Sequence, residues 1–171
     1  MNKLTGMTLE EMIKKPRTKA EVEEWALEMD PMDRFKKEGY HDGTAYWDPE
    51  RNTWIWNGFT SSGPIVYAVA KLFTDGTLIM QKVGEAIKGT GRKCYKNKNL
   101  IMKTRKGKIS RCATTSIWKR AMEGPLKGTE SSFWFLYFPP GTDKKTLWLY
   151  EGALSRAAEA YGHDMFLSGQ H

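Results

Sequence analysis

The chain is poor in cysteine, in long hydrophobic runs and, over one 39-residue stretch, in acids. Two cysteines, Cys94 and Cys112, are too few for a disulfide framework or a cysteine-built zinc site. Reduced thiols and a cytoplasmic location are expected. No apolar run approaches the roughly 18 residues of a membrane-spanning helix, so no integral membrane segment is read. The N-terminal run to Lys15 has no continuous hydrophobic stretch, and no secretory signal is read there. A serine nucleophile elbow, a P-loop and a dinucleotide glycine motif are all missing, and Gly84, Gly89 and Gly91 open no helix. The three histidines, His41, His163 and His171, lack metal-ligand spacing. His41-Asp42 and His163-Asp164 read as surface turns. No metal and no cofactor is therefore implied.

What is present is enough for a packed core. In 171 residues, 40% are apolar and 12% aromatic, which excludes a disordered chain. A chain of this size buries about two-thirds of its unfolded surface without help from metal or disulfide.

The net charge of +7 hides a block. Residues 82–120 hold 13 Lys and Arg against one acid, Glu85, while the remaining chain holds 14 bases and 19 acids. The block is thus +12 and the rest −5. A solubilising surface mixes both signs, so this segregation points to an anionic partner.

Helical signals fill residues 1–40. Thr8 to Glu11 and Thr18 to Glu21 are capping boxes, and Asp30-Pro31 is a cap followed by proline at the first helical position. Val22, Trp25 and Met29, then Met32 and Phe35, form the apolar face, and Gly39 ends it. From Tyr40 the period becomes two. Thr44–Trp47 with Thr53–Trp56, Ile65–Phe73 with Thr77–Val83, Asn99–Arg105 with Lys108–Thr114, and Phe133–Phe138 with Thr146–Tyr150 read as four hairpins. Residues 84–98 and 115–131 read as connections. Thr146–Tyr150, apolar on both faces, reads as a buried strand, followed by a helix over Ala153–Tyr161 and a further strand from Met165. The expected fold is α+β, with N-terminal helices, a hairpin-rich antiparallel sheet and a C-terminal strand–helix unit. The division is a helical segment, 1–40, and a hairpin-rich domain, 41–171.

Candidate nucleic-acid contacts lie in the block. Lys103, Arg105, Lys106 and Lys108 sit at an expected hairpin tip, with Arg111 beyond it. A basic β-ribbon tip suits phosphates or a groove. Arg92, Lys93, Lys96 and Lys98 surround Tyr95, which suits backbone contact with base stacking. Lys119 and Arg120 complete the set. Trp54 and Trp56 share one strand face and are candidates for stacking, or for packing beneath the helices through Trp25. Trp134 and Trp148 read as core.

Glu151 ends the expected strand before a turn into a helix, where α/β folds place catalytic groups. The run Leu147-Trp-Leu-Tyr-Glu151-Gly-Ala-Leu-Ser-Arg-Ala resembles the first motif of Toprim domains. The segment upstream is similar to the β-rich N-terminal subdomain of phage and plasmid primases: in Val69–Val83 an apolar strand, an Asp-Gly turn and a strand ending Gln-Lys-Val precede a Lys/Gly-rich stretch. His163–Gly169 looks like the second Toprim strand. The resemblance covers residues 65–171 and implies a catalytic role for Glu151. The chain departs from the pattern in lacking the downstream Asp-x-Asp, in placing Ser155 where an Asp often follows, and in lacking a four-cysteine zinc ribbon. A single carboxylate does not hold two metals.

Three readings follow. The first is a non-catalytic nucleic-acid-binding protein of phage or mobile-element type, acting on DNA or RNA. The second is a primase- or nuclease-like enzyme fragment that uses Glu151. The third is a small inhibitor docking on an acidic protein. No membrane partner is implied, and neither a metal at Glu151 nor catalysis by this chain alone is expected.

Overall fold

The computed structural model describes residues 4–48, 53–58, 63–73, 75–88 and 130–165, with 42–48, 53–58, 130 and 131 described by backbone only. The architecture is α+β, as the order of helical and two-residue periods implies.

Three short helices open the chain: α1 (Leu9–Ile13), α2 (Lys19–Leu27) and α3 (Pro31–Glu38). Their starts are those the capping signals predict. Thr8 and Thr18 hydroxyls accept from the backbone N–H of Glu11 and Glu21, Glu21 closes a full capping box, and Asp30 accepts from Met32 N–H ahead of Pro31. Trp25 is the hub of this layer. Its indole N–H donates to Met7 O at 3.0 Å, and the Arg34 guanidinium lies 4.0 Å above its ring. Arg34 is 2% exposed and is held by Glu38 at 2.6 Å and by the Trp25 carbonyl at 3.1 Å. Paired in this way, a guanidinium is tolerated inside. Gly39 is extended at φ −106°, so the left-handed region does not require it. Close approach does, because a Cβ there would stand 2.5 Å from Phe135 O and 2.7 Å from Phe35 O.

Among the described residues five strands form one sheet: β1 (Tyr40–Asp48), β2 (Thr53–Gly58), β3 (Ile65–Leu72), β4 (Leu78–Ala86) and β5 (Glu130–Tyr137), in the order β2-β1-β5-β3-β4 with every neighbouring pair antiparallel. β1–β2 and β3–β4 are the first two expected hairpins. β5 inserts between them, so it is not half of a hairpin. β3 is buried on both sides from Ile65 to Lys71. Its alternate residues Val66, Ala68 and Ala70 join Met80, Val83, Leu136 and the helices in one apolar cluster, which therefore spans the helical segment and the sheet. A bulge between Val69 and Ala70 leaves Gln81 out of register in β4.

The C-terminal unit is a strand, β5, followed by a helix, but the strand lies earlier in the chain than expected. Residues expected as the strand Thr146–Tyr150 are the first turns of one long helix, α4 (Lys144–Ala160). The cause is local. Asp143 accepts from Thr146 N–H at 2.8 Å and caps the helix, and Leu147, Tyr150, Leu154 and Ala157 then recur at helical spacing on its buried face. Trp148 occupies the opposite face and is 54% exposed, which corrects its reading as core. The Pro-Pro-Gly-Thr-Asp loop accordingly joins strand to helix, and no βαβ unit is formed by the described residues. His163–Met165 form no strand. The expected hairpin Asn99–Arg105 with Lys108–Thr114 lies outside the described residues. Among the described residues no helix is long and apolar enough to cross a membrane.

Candidate functional site

β4 is an edge strand, and its register pairs Glu85 with Val66, on the face that α4 covers. The Trp148 indole N–H donates to Glu85 Oε1 at 3.2 Å, and Lys144 Nζ approaches the same oxygen at 3.7 Å. Glu85 Oε2 is buried and accepts no hydrogen bond from the described residues. Three residues beyond Trp148 on α4, Glu151 is 7% exposed. Burial pushes its carboxyl up to about 7 and the Glu85 charge adds to the shift, with Lys82 and Lys144 offsetting it in part. The nearby Tyr67 phenol is held protonated well above its ordinary range, by burial first and then by the charges of Glu151 and Glu85.

This carboxyl pair opens onto a cleft of about 620 Å³ lined by Lys19, Glu85, Lys145, Trp148, Glu151 and Arg156, among others. Arg156 reaches Glu23 at 2.9 Å, and Lys19 lies 3.9 Å from the same carboxylate. Gly152 gives room for this: a Cβ there would stand 3.1 Å from an Arg156 guanidinium nitrogen. The cleft thus joins a carboxyl poised to exchange a proton near neutrality, an oriented indole and a rim of cations. Among the described residues no group of three or more His, Cys, Asp or Glu is arranged to hold a metal ion.

Several sequence expectations change here. Glu151 lies within a helix and not at a strand end, so the Glu-Gly pair is not the strand-to-helix turn that the Toprim resemblance implies. The carboxylate brought to it is Glu85, which the sequence offered only as the lone acid of the basic block. His163 is no surface turn residue. Its side chain is 6% exposed, its Nδ1 accepts from Met80 N–H at 3.0 Å, and its Nε2 lies 2.7 Å from Asp30 Oδ1. His41 stacks on Trp134 at 4.6 Å and meets Ser132 Oγ at 3.0 Å. Arg92, Lys93, Tyr95, Lys96, Lys98, Lys103, Arg105, Lys106, Lys108, Arg111, Lys119 and Arg120 lie outside the described residues. Of Trp54 and Trp56 the structure gives the backbone alone, opposite Trp47 and Ala45 in edge strand β2. Lys19, Glu85, Lys144, Lys145, Trp148 and Arg156 are the site residues that sequence reasoning missed. The two-residue period of β4 was the one signal for Glu85, since it sets that residue on the face of Val83.

No protein-family model, curated protein or solved structure matches this chain.

Proposed function

We propose that this chain is a non-catalytic nucleic-acid-binding protein that contacts phosphates through the basic block of residues 82–120. The observation that carries the reading is the charge segregation, +12 within 39 residues against −5 elsewhere. Each phosphate neutralised by Lys or Arg releases condensed counterion, so clustered bases bind a polyanion more strongly than the net charge implies. The block begins within β4 and ends before β5 in sequence, apart from the acid-bearing helices α1 and α2. DNA and RNA both satisfy this chemistry. The test is a gel-shift titration with single- and double-stranded DNA and RNA at low and moderate salt. Binding that weakens steeply with salt is expected. Binding to no nucleic acid at low salt contradicts the reading and favours an acidic protein as the partner of the same surface.

One observation favours a second reading, an enzyme acting on nucleic acid with Glu151 as its acid–base group. Glu151 is a buried carboxyl lining a cleft, pushed up to about 7, beside a second carboxylate. Strand cleavage or nucleotide polymerisation that is lost in Glu151→Gln supports this reading; its absence from the purified chain supports the first.

A further inference from the structure

The cleft between β4 and α4 asks for a ligand that the basic block does not. Lys19, Lys145 and Arg156 line it and Lys144 approaches Glu85, against the charges of Glu23, Glu85 and, when ionised, Glu151, which leaves a small excess of positive charge at the rim. Trp148 is more than half exposed, yet its ring is held in orientation by the bond to Glu85 and by Lys144 near its face at 5.8 Å. An exposed indole fixed in this way is a preformed stacking surface, and it loses little rotamer freedom when a flat ring covers it. Glu151 lines the same cleft, and a carboxylate accepts N–H donors.

Phosphate, flat ring and donor-bearing ring edge belong together in one chemical class. We propose that this cleft binds one nucleoside 5′-phosphate unit, with the base stacked on Trp148, its donor edge on Glu151 and its phosphate on Lys145 and Arg156. The inference deepens the nucleic-acid reading and rests on it for the choice of ligand. Guanine is the base that fits best, because its adjacent ring N–H and exocyclic amine make two parallel bonds to one carboxylate, as a guanidinium does. Inosine lacks the amine and keeps one of these bonds. The same unit is available as a free nucleotide or as an unstacked residue of a strand, and the two sources share this chemistry.

The test uses the full chain and calorimetric titration with guanosine 5′-monophosphate and inosine 5′-monophosphate, alongside a gel shift with a guanine-containing single strand. Wild-type protein binds guanosine monophosphate more tightly than inosine monophosphate. Trp148→Ala weakens the nucleotide about tenfold or more, the usual effect of removing a stacked aromatic, while Trp148→Phe retains most of the affinity. Glu151→Gln reduces the preference for guanine over inosine, and thermal unfolding confirms that each variant is folded. Competition between nucleotide and strand assigns the site to a residue of the strand; a nucleotide that binds without competing assigns it to free nucleotide. A strand that shifts while neither nucleotide binds overturns this inference and leaves the basic-block reading intact. Nucleotide binding without any strand shift upholds the cleft and overturns the basic block. Nucleotide binding unchanged in Trp148→Ala also overturns the inference.

Discussion

His163 Nε2 lies 2.7 Å from Asp30 Oδ1, 133 residues away, while Nδ1 of the same ring accepts the Met80 N–H. The acceptor role of Nδ1 sets the tautomer, so Nε2 carries the hydrogen and donates to Asp30. One side chain thereby ties the cap of α3 to strand β4 and to the segment that leaves α4. His163→Ala is expected to cost about 2–3 kcal/mol, because it leaves the Met80 N–H without its acceptor. A double-mutant cycle with Asp30→Ala, read by urea unfolding, is expected to show a coupling of about 1 kcal/mol or more. Strict additivity would show that the two side chains act separately.

Glu151 gives a pH signature. Its carboxyl takes up a proton near 7 in the folded protein, against an ordinary value of 4.5. Between those values the folded chain holds a proton that the unfolded chain lacks, so stability falls as pH rises through this window and stays lower above it. Glu151→Gln removes the ionisation. The variant is expected to exceed wild type by about 1–2 kcal/mol at pH 8, allowing for the side of the carboxyl open to the cleft, and to match it near pH 4. Thermal unfolding across pH checks this, and an equal difference at both extremes contradicts it.

Gly84 matters through space. The Tyr67 ring lies where a Cβ at this position would be. Gly84→Ala is expected to destabilise by about 1–3 kcal/mol, as overpacking does, and the pair Gly84→Ala with Tyr67→Leu is expected to recover part of the loss. Denaturant midpoints measure both.

The run of residues 103–108 holds four of the block's bases. Replacing Lys103, Arg105, Lys106 and Lys108 with Ala is expected to weaken nucleic-acid binding and to change folding stability by less than about 1 kcal/mol. A quadruple variant that binds like wild type places the contact elsewhere in the block.

Most of the sheet was legible because its signals are local. Alternation between Ile65 and Val83 with the Asp75-Gly76 turn defined β3 and β4, and the cap residues Thr8, Thr18 and Asp30 defined the helices. The start of α4 was not legible. Leu147, Trp148, Leu149 and Tyr150 form an unbroken apolar run, and the run conceals that Trp148 faces outward while Leu147 and Tyr150 face the core. That one reading moved Glu151 to a strand end and gave the Glu-Gly pair its apparent setting. The meeting of Glu85 with Trp148 spans 63 residues and depends on strand order, which no short motif records. His163 was missed for the same reason, since both its partners are remote in sequence. The charge block needed no fold to be seen, because its sign is written in composition.

The central claim is that residues 82–120 bind a nucleic-acid backbone. The most direct measurement is the affinity of the intact chain for one oligonucleotide as a function of salt. With about five phosphate contacts, the account predicts a linear fall of log affinity with log salt and a loss of about one to three orders of magnitude between roughly 50 and 200 mM. An affinity that does not change with salt, or no binding at the lower concentration, contradicts it.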